Sequence, residues 1–378
     1  MKKVVFLTGT RADFGKLKSL IEVLLKSVSF EVHIFATGMH MEATYGYTVN
    51  EIIKCGYDNI FQYANHDEEV VTDITLANTI KGFSKYIRNL QPDLIVVHGD
   101  RIEALAGATV GALNNILVAH IEGGELSGTV DELIRHAVSK LSHTHFVAND
   151  EAKNRLIQMG ERRESIFVIG SPDMDLMLSD HLPSLDTVKE YYEIHFTEYA
   201  VATFHPVTTE YERVEKYAEG FIAALESSQI NYVVIQPNND KGAELIRKKL
   251  KHLENNERFK QFPSMRFEYF LVLMKHAKFI IGNSSAGIRE APYFGVPVVN
   301  VGTRQNRRSI NQDIIHTGYS KDAVMQGISK ALNKKAEPKQ LFGTGNSDMK
   351  FAEILADVAF WQTPQQKLFA DIQQLHLL

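Results

Sequence analysis

The chain has one cysteine, Cys55, among 378 residues. A lone thiol excludes an intramolecular disulfide and any zinc site built from cysteines. It also fits a reducing compartment, so a cytoplasmic location is expected. A basic excess is missing too: 41 Lys and Arg stand against 46 Asp and Glu, a net charge of −5. Nucleic-acid binders usually show the opposite balance, so no nucleic-acid partner is expected. No stretch approaches the roughly 18 apolar residues of a membrane span, so no membrane partner is expected. Two lysines precede the apolar run Val4–Leu7. That run is far shorter than the roughly 7–15 residues of a secretory h-region, and it reads as a buried first strand. With 44% hydrophobic and 23% charged residues, the composition is that of a globular protein, not of a disordered or collagen-like chain.

Familiar catalytic and nucleotide signatures are also lacking. Gly9-Thr10-Arg11-Ala12-Asp13-Phe14-Gly15-Lys16-Leu17 resembles a phosphate-binding loop, but its glycines stand one position too far apart. Leu17 occupies the place of the magnesium-binding hydroxyl. No G-x-G-x-x-G follows a strand, which excludes the dinucleotide fingerprint. In Gly282-Asn283-Ser284-Ser285-Ala286 an alanine replaces the last glycine of a nucleophile elbow. No H-E-x-x-H occurs, and the 15 histidines show no metal spacing. Neither a metal nor a cofactor is expected.

What the chain does have is alternation. Val4–Leu7, Val32–Phe35, Leu94–Val97, Leu117–Ile121, His145–Val147 and Ile166–Ile169 read as buried strands. Helix-period stretches separate them, such as Leu17, Leu20, Ile21 and Leu24, or Leu133, Ile134, Ala137 and Leu141. Residues 173–199 are polar and acidic and read as a connector. The rhythm then resumes with strands Ala200–Phe204, Tyr232–Ile235, Phe279–Ile281 and Val298–Val301. Helical patterns fall at about 210–228, 242–254, 268–276 and 321–333. Strands alternating with helices imply parallel sheets and an α/β fold in two domains. The expected divisions are 1–175, 176–345 and a helical tail over 346–378 that holds the one tryptophan, Trp361.

Ligands of open α/β sheets bind beyond the carboxyl ends of the strands, so residues just after strands are the candidates. Five groups stand there. Gly9-Thr10-Arg11 offers a turn and a guanidinium suited to an anion. His98-Gly99-Asp100-Arg101 places an acid after a strand, where a plain helix N-cap is the competing role. His120-Ile121-Glu122-Gly123-Gly124-Glu125 leads to Asp131 and Arg135, spaced one helical turn apart, with Thr129 and Glu132 as a capping box. Carboxylates converging at strand ends raise one another's pKa and can do acid and base work. His205 ends the first strand of the second domain. Gly282 to Ala291 runs from a strand through Ser284 and Ser285 into a helix carrying Glu290, an arrangement suited to a diphosphate.

Taken together and in this order, these stretches resemble the UDP-N-acetylglucosamine 2-epimerase family over about residues 3–345. His205-Pro206-Val207-Thr208-Thr209 and Gly302-Thr303-Arg304-Gln305 add to the likeness. The Glu122-Gly123-Gly124-Glu125 sequence resembles the hydrolysing branch, which releases N-acetylmannosamine and UDP. The resemblance implies a GT-B type fold: two Rossmann-like, doubly wound domains facing a cleft, with C-terminal helices. The first domain would take the sugar and the second the UDP. It implies that Arg11, Ser284, Ser285 and Glu290 hold UDP, with Asn238 and the backbone near Arg266 and Phe267 close to the nucleotide. His205 would meet phosphate or sugar. Asp100, Glu122 and Asp131 would surround the hexose, supported by Arg101, Arg135 and Arg304. It also implies a homodimer or homotetramer, with the UDP-sugar and UDP as its small-molecule partners.

The implied chemistry breaks the C1–O bond first, because C2 of the sugar has no carbonyl neighbour to acidify its proton. Loss of that proton gives a 2-acetamidoglucal. Water then adds at C1 while C2 is protonated on the opposite face. Three alternatives stay open: a diacetylbacillosamine sugar in place of N-acetylglucosamine, a GT-B glycosyltransferase, and a non-catalytic UDP-sugar sensor. The expected pathway is sialic acid synthesis.

Overall fold

The computed structural model describes residues 1–66, 71–127, 130–178, 182–306 and 313–371. Two compact units divide the chain. The first comprises Met1–Glu125, Asp131–Leu178 and Phe342–Leu378; the second comprises Leu126–Val130 and Ser179–Leu341.

The first unit is built on seven strands: β1 Lys2–Thr8, β2 Phe30–Ala36, β3 Ile60–Gln62, β4 Leu94–His98, β5 Leu117–Ile121, β6 Thr144–Val147 and β7 Ile166–Val168. Their spatial order is β3-β2-β1-β4-β5-β6-β7. Neighbours are parallel, with Val4 opposite both Val32 and Leu94, and His120 opposite His145. The near-continuous apolar strands follow from cover on both faces. Val4 and Phe6 pack into one core, Val5 and Leu7 into another. Phe351, Leu355 and Phe360, from the far end of the chain, complete the first of these cores.

The second unit repeats the plan with β8 Ala200–Thr203, β9 Tyr232–Ile235, β10 Phe259–Phe262, β11 Ile280–Gly282, β12 Val298–Val301 and β13 Ile315–Thr317. The order is β10-β9-β8-β11-β12-β13, again parallel. In each sheet the direction of winding reverses beside the first strand, at β1/β4 and at β8/β11. That is where ligands bind in doubly wound sheets.

Some expectations need correction. Residues 173–199 are not a bare connector: they carry helices Pro172–Leu178 and Leu185–Tyr191, the second capped by Ser184. Among the described residues the tail is helical over Ser347–Ala356, with one further tight turn at Phe360–Gln362. Thr129 lies outside the described residues, so the expected capping box does too.

Candidate active site

In the first unit, β4 and β5 end side by side and present Asp100 and Glu122. Asp100 is not a helix cap. The cap position of helix Ile102–Leu113 belongs to Arg101, which leaves the Asp100 carboxylate for other work. It forms an ion pair with Arg135, whose side chain is 1% exposed against 20% for Asp100. Arg135 also donates to the Glu122 carbonyl at 2.9 Å and lies 3.5 Å from Glu125. One guanidinium thus ties the ends of both strands together, with the fork geometry that suits several oxygens at once. Asp131 stands one turn before Arg135 on helix Val130–Leu141, half-buried.

Glu122 adopts φ +64, a left-handed backbone that non-glycine residues seldom take and that often marks a functional position. Its carboxylate is held from several sides. Ser171 Oγ donates to it at 2.5 Å, Lys16 Nζ lies at 3.5 Å and His98 Nε2 at 3.3 Å. Lys16 also reaches the buried Asp173 at 3.2 Å. Behind this group His120 is fully buried. Its Nε2–H donates to the Gly99 carbonyl at 2.8 Å and its Nδ1 pairs with Ser139 Oγ at 3.0 Å. Burial pushes its pKa well below the ordinary histidine value, so it is a neutral strut between β4, β5 and the helix.

The turn after β1 differs from expectation. The N–H groups of Gly9 and Thr10 do not stand open for an anion, because Asp13 accepts both, at 3.0 and 3.1 Å. Thr10 caps helix Arg11–Leu25 and Asp13 completes the capping box. Arg11 opens that helix, half-buried.

In the second unit, β8 and β11 are joined at their ends by Asn283. Its side chain accepts from His205 N–H at 2.7 Å and donates to the His205 carbonyl at 2.8 Å. His205 Nδ1 accepts from Asn238 N–H at 3.2 Å. Asn238 donates to Asp240, and Arg247 donates to the Asn238 carbonyl at 3.0 Å. Arg304 and Gln305 donate to the Asn283 carbonyl at 3.3 and 2.9 Å, and Arg304 comes within 4.0 Å of Asp240. His205, Asn238 and Arg304 therefore belong to one constellation.

No continuous helix follows the serines. Ser284 caps a single tight turn, Ser285–Gly287, and a short helix Glu290–Tyr293 starts after it. Pro292 has no N–H to donate back to Ile288, which explains the interruption. Ser284 and Ser285 are half-buried beside β11, and Glu290 is buried in the short helix. Phe267 is buried at the first position of helix Phe267–Lys275. Sequence reasoning missed Ser171 and Asp173 in the first unit, and it quoted Lys16, His98 and Asn283 within their motifs without giving them a role. Lys16 follows Arg11 within one helix, and only that spacing signalled it. Among the described residues no group of three or more His, Cys, Asp or Glu is placed to hold a metal ion, and no helix is long and apolar enough to cross a membrane.

Comparison with known proteins gives a consistent result. The family model described as UDP-N-acetylglucosamine 2-epimerase matches residues 23–356. The chain is 48% identical over 376 residues to a UDP-N-acetylglucosamine 2-epimerase of Neisseria meningitidis serogroup B, covering 98% of this chain and 100% of the relative. It is 33% identical to a hydrolysing UDP-N,N'-diacetylbacillosamine 2-epimerase of Legionella pneumophila, covering 95% of this chain and 96% of that one. Among solved structures, the Methanocaldococcus jannaschii UDP-GlcNAc 2-epimerase in complex with UDP-GlcNAc and UDP is similar with a TM-score of 0.80 and 24% identity, over 94% of this chain and 99% of that one. That likeness shows the fold, the GT-B type with two Rossmann-like units.

Proposed function

The chain belongs to the UDP-N-acetylglucosamine 2-epimerase family, and on that premise we propose that it is a hydrolysing enzyme, converting UDP-N-acetylglucosamine and water into N-acetylmannosamine and UDP. The observation that carries this reading is the pair of strand-end carboxylates, Asp100 and Glu122, gathered by Arg135. The Legionella relative, a hydrolysing epimerase, supports the branch, and the 48% identity to the Neisseria relative supports N-acetylglucosamine as the sugar.

In this reading the C1–O bond breaks with its electron pair leaving on UDP. The C2–H bond electrons form the C1=C2 double bond, and a carboxylate takes the proton. Water then adds its oxygen to C1, giving up one proton to a carboxylate, and an acid delivers a proton to C2 on the opposite face. The product differs from the substrate by inversion at C2 and by a hydroxyl in place of UDP. Asp100, Glu122 and Asp131 are the acid–base candidates. Glu122 lies beside Lys16 and His98, which hold its carboxylate in place. Such groups contribute about 10²–10⁴-fold each. Arg101 and Arg135 support the hexose side, and His205 serves phosphate or sugar. In the second unit Ser284, Ser285, Glu290, Asn238, Phe267 and Arg304 bind UDP. Departing diphosphate is stabilised by N–H groups and cations.

Turnover in D2O tests this. N-acetylmannosamine carrying deuterium at C2, released together with free UDP, is the expected product. Recovery of UDP-N-acetylmannosamine would overturn the hydrolysing assignment, and protium at C2 would overturn proton abstraction.

A further inference from the structure

The segment after the last helical turn fastens itself to the first unit. Lys367 Nζ donates to the carbonyls of Ser139, Lys140 and Ser142 at 2.8, 3.0 and 2.6 Å. These carbonyls stand at the end of helix Val130–Leu141, where backbone donors run out, and that of Ser139 also accepts from Ser142 N–H at 3.2 Å. An ammonium there also meets the negative end of the helix dipole. The same ammonium lies 2.6 Å from Glu161 Oε2. Glu161 is buried and pairs with Lys140 at 2.7 Å and with His145 at 2.9 Å. On either side the strap is pinned. His143 Nε2 bonds the Gln365 carbonyl at 3.0 Å, and Ala370 N–H donates to the Gly160 carbonyl at 2.9 Å. The Phe369 ring covers Gly160, where a Cβ would come within 2.1 Å of it. The strap residues Gln365, Lys367, Phe369 and Ala370 lie beyond residues 23–356, the span the family model matches, while their partners lie within it.

The helix so clamped is the one that serves the candidate site. Ser139 Oγ meets His120, and His120 holds the Gly99 carbonyl, one residue before Asp100. One turn earlier, Arg135 pairs with Asp100 and holds the Glu122 carbonyl. Helix ends fray first, and fraying at Leu141 reaches Ser139 before anything else. We propose that Lys367 is a positioning residue. By capping the end of helix Val130–Leu141 it fixes Ser139 and Arg135, and through them the geometry of Asp100 and Glu122. The inference rests on the reading that those carboxylates act on the hexose.

The test compares Lys367→Met with Lys140→Met. Both remove a cation from Glu161, but Lys140 caps no carbonyl of its own helix end. Three quantities are measured: kcat on UDP-N-acetylglucosamine, UDP affinity by calorimetry, and hydrogen exchange of the amides of residues 138–141. Lys367→Met should lose about 10- to 100-fold in kcat, the scale of a misplacement of about 1 Å. Exchange at 138–141 should quicken and UDP affinity should hold, and Lys140→Met, which keeps the three carbonyl caps but gives up a contact 5.0 Å over the Phe369 ring, should change kcat and exchange less than Lys367→Met does. Phe369→Ala loosens the same strap from an exposed position. It should move kcat and exchange in the same direction even if Lys367→Met does not fold. Wild-type kcat in the Lys367 or Phe369 variant, or reduced kcat with unaltered exchange, overturns the proposal. If the wild type does not turn over this sugar at all, the functional reading fails instead. Exchange in the variants then decides the strap by itself.

Discussion

Glu103 is 1% exposed, and neither of its carboxyl oxygens makes a hydrogen bond. It fits only because two neighbours have no side chain: a Cβ on Gly9 or Gly38 would come within 2.7 or 2.6 Å of it. The cation facing it, Arg101, stays 3.9 Å away. Burial therefore outweighs that attraction and raises the pKa above the usual carboxylate value of 4.5. The sign follows by linkage. Above that pH the unfolded chain has lost a proton that the fold retains, so this residue takes stability away as pH rises. Glu103→Gln should melt with the wild type near pH 4 and increasingly above it as pH rises past the usual carboxylate value. A constant or shrinking difference across a calorimetric pH series would refute this. No local pattern marks Glu103. Nor does one mark Ser171 or Asp173, which reach Glu122 or Lys16 from far along the chain. Asp100 and Glu122 were legible because they directly follow apolar strands.

Among the elements, the junction of β8 and β11 has the least slack. Gly282 sits at φ +134, and a Cβ there would fall 1.9 Å from the Thr203 carbonyl oxygen. Any side chain must pry the two central strands apart just where Asn283 joins them. Gly282→Ala should cost about 3 kcal/mol or more and weaken UDP binding alongside. A melting point within a degree or so of the wild type would show that the strands give way cheaply. The central strands could be read from sequence because burial on both faces enforces an apolar run. Ile60–Gln62, Phe259–Phe262 and Ile315–Thr317 escaped notice for the converse reason. The first and last of these are three-residue edge strands, and all three mix polar with apolar side chains. The break at Ser285–Gly287 escaped as well, because serine before an apolar run signals a helix start whether or not the helix continues.

For the whole molecule, the proposed division of labour assigns hexose chemistry to the first unit and nucleotide to the second. UDP titration separates the two. Asp100→Asn should keep UDP affinity while losing most turnover, and Glu290→Ala should lose about 1–3 kcal/mol of UDP binding. Near 100 Kd, UDP should stabilise the wild type by about 2.7 kcal/mol, and less of this should survive in Glu290→Ala. Equal loss of UDP binding in both variants contradicts the division. The fold class was legible throughout, since the alternation of strands and helices runs the length of the chain. What the alternation does not reveal is that the first unit closes with the last residues. Phe351 packs 4.8 Å from Phe146 and 6.4 Å from Phe6, centroid to centroid. On the ribosome, Phe6 and Phe146 emerge early, and Phe351 follows only after the intervening stretch Ser179–Leu341. At about 5–20 residues per second, the first sheet waits on the order of ten to thirty seconds with part of one apolar face uncovered, the part that helix Arg11–Leu25 does not reach. A chain cut before Phe342 thus holds every residue of the second unit but lacks the side chains that complete the first unit's core.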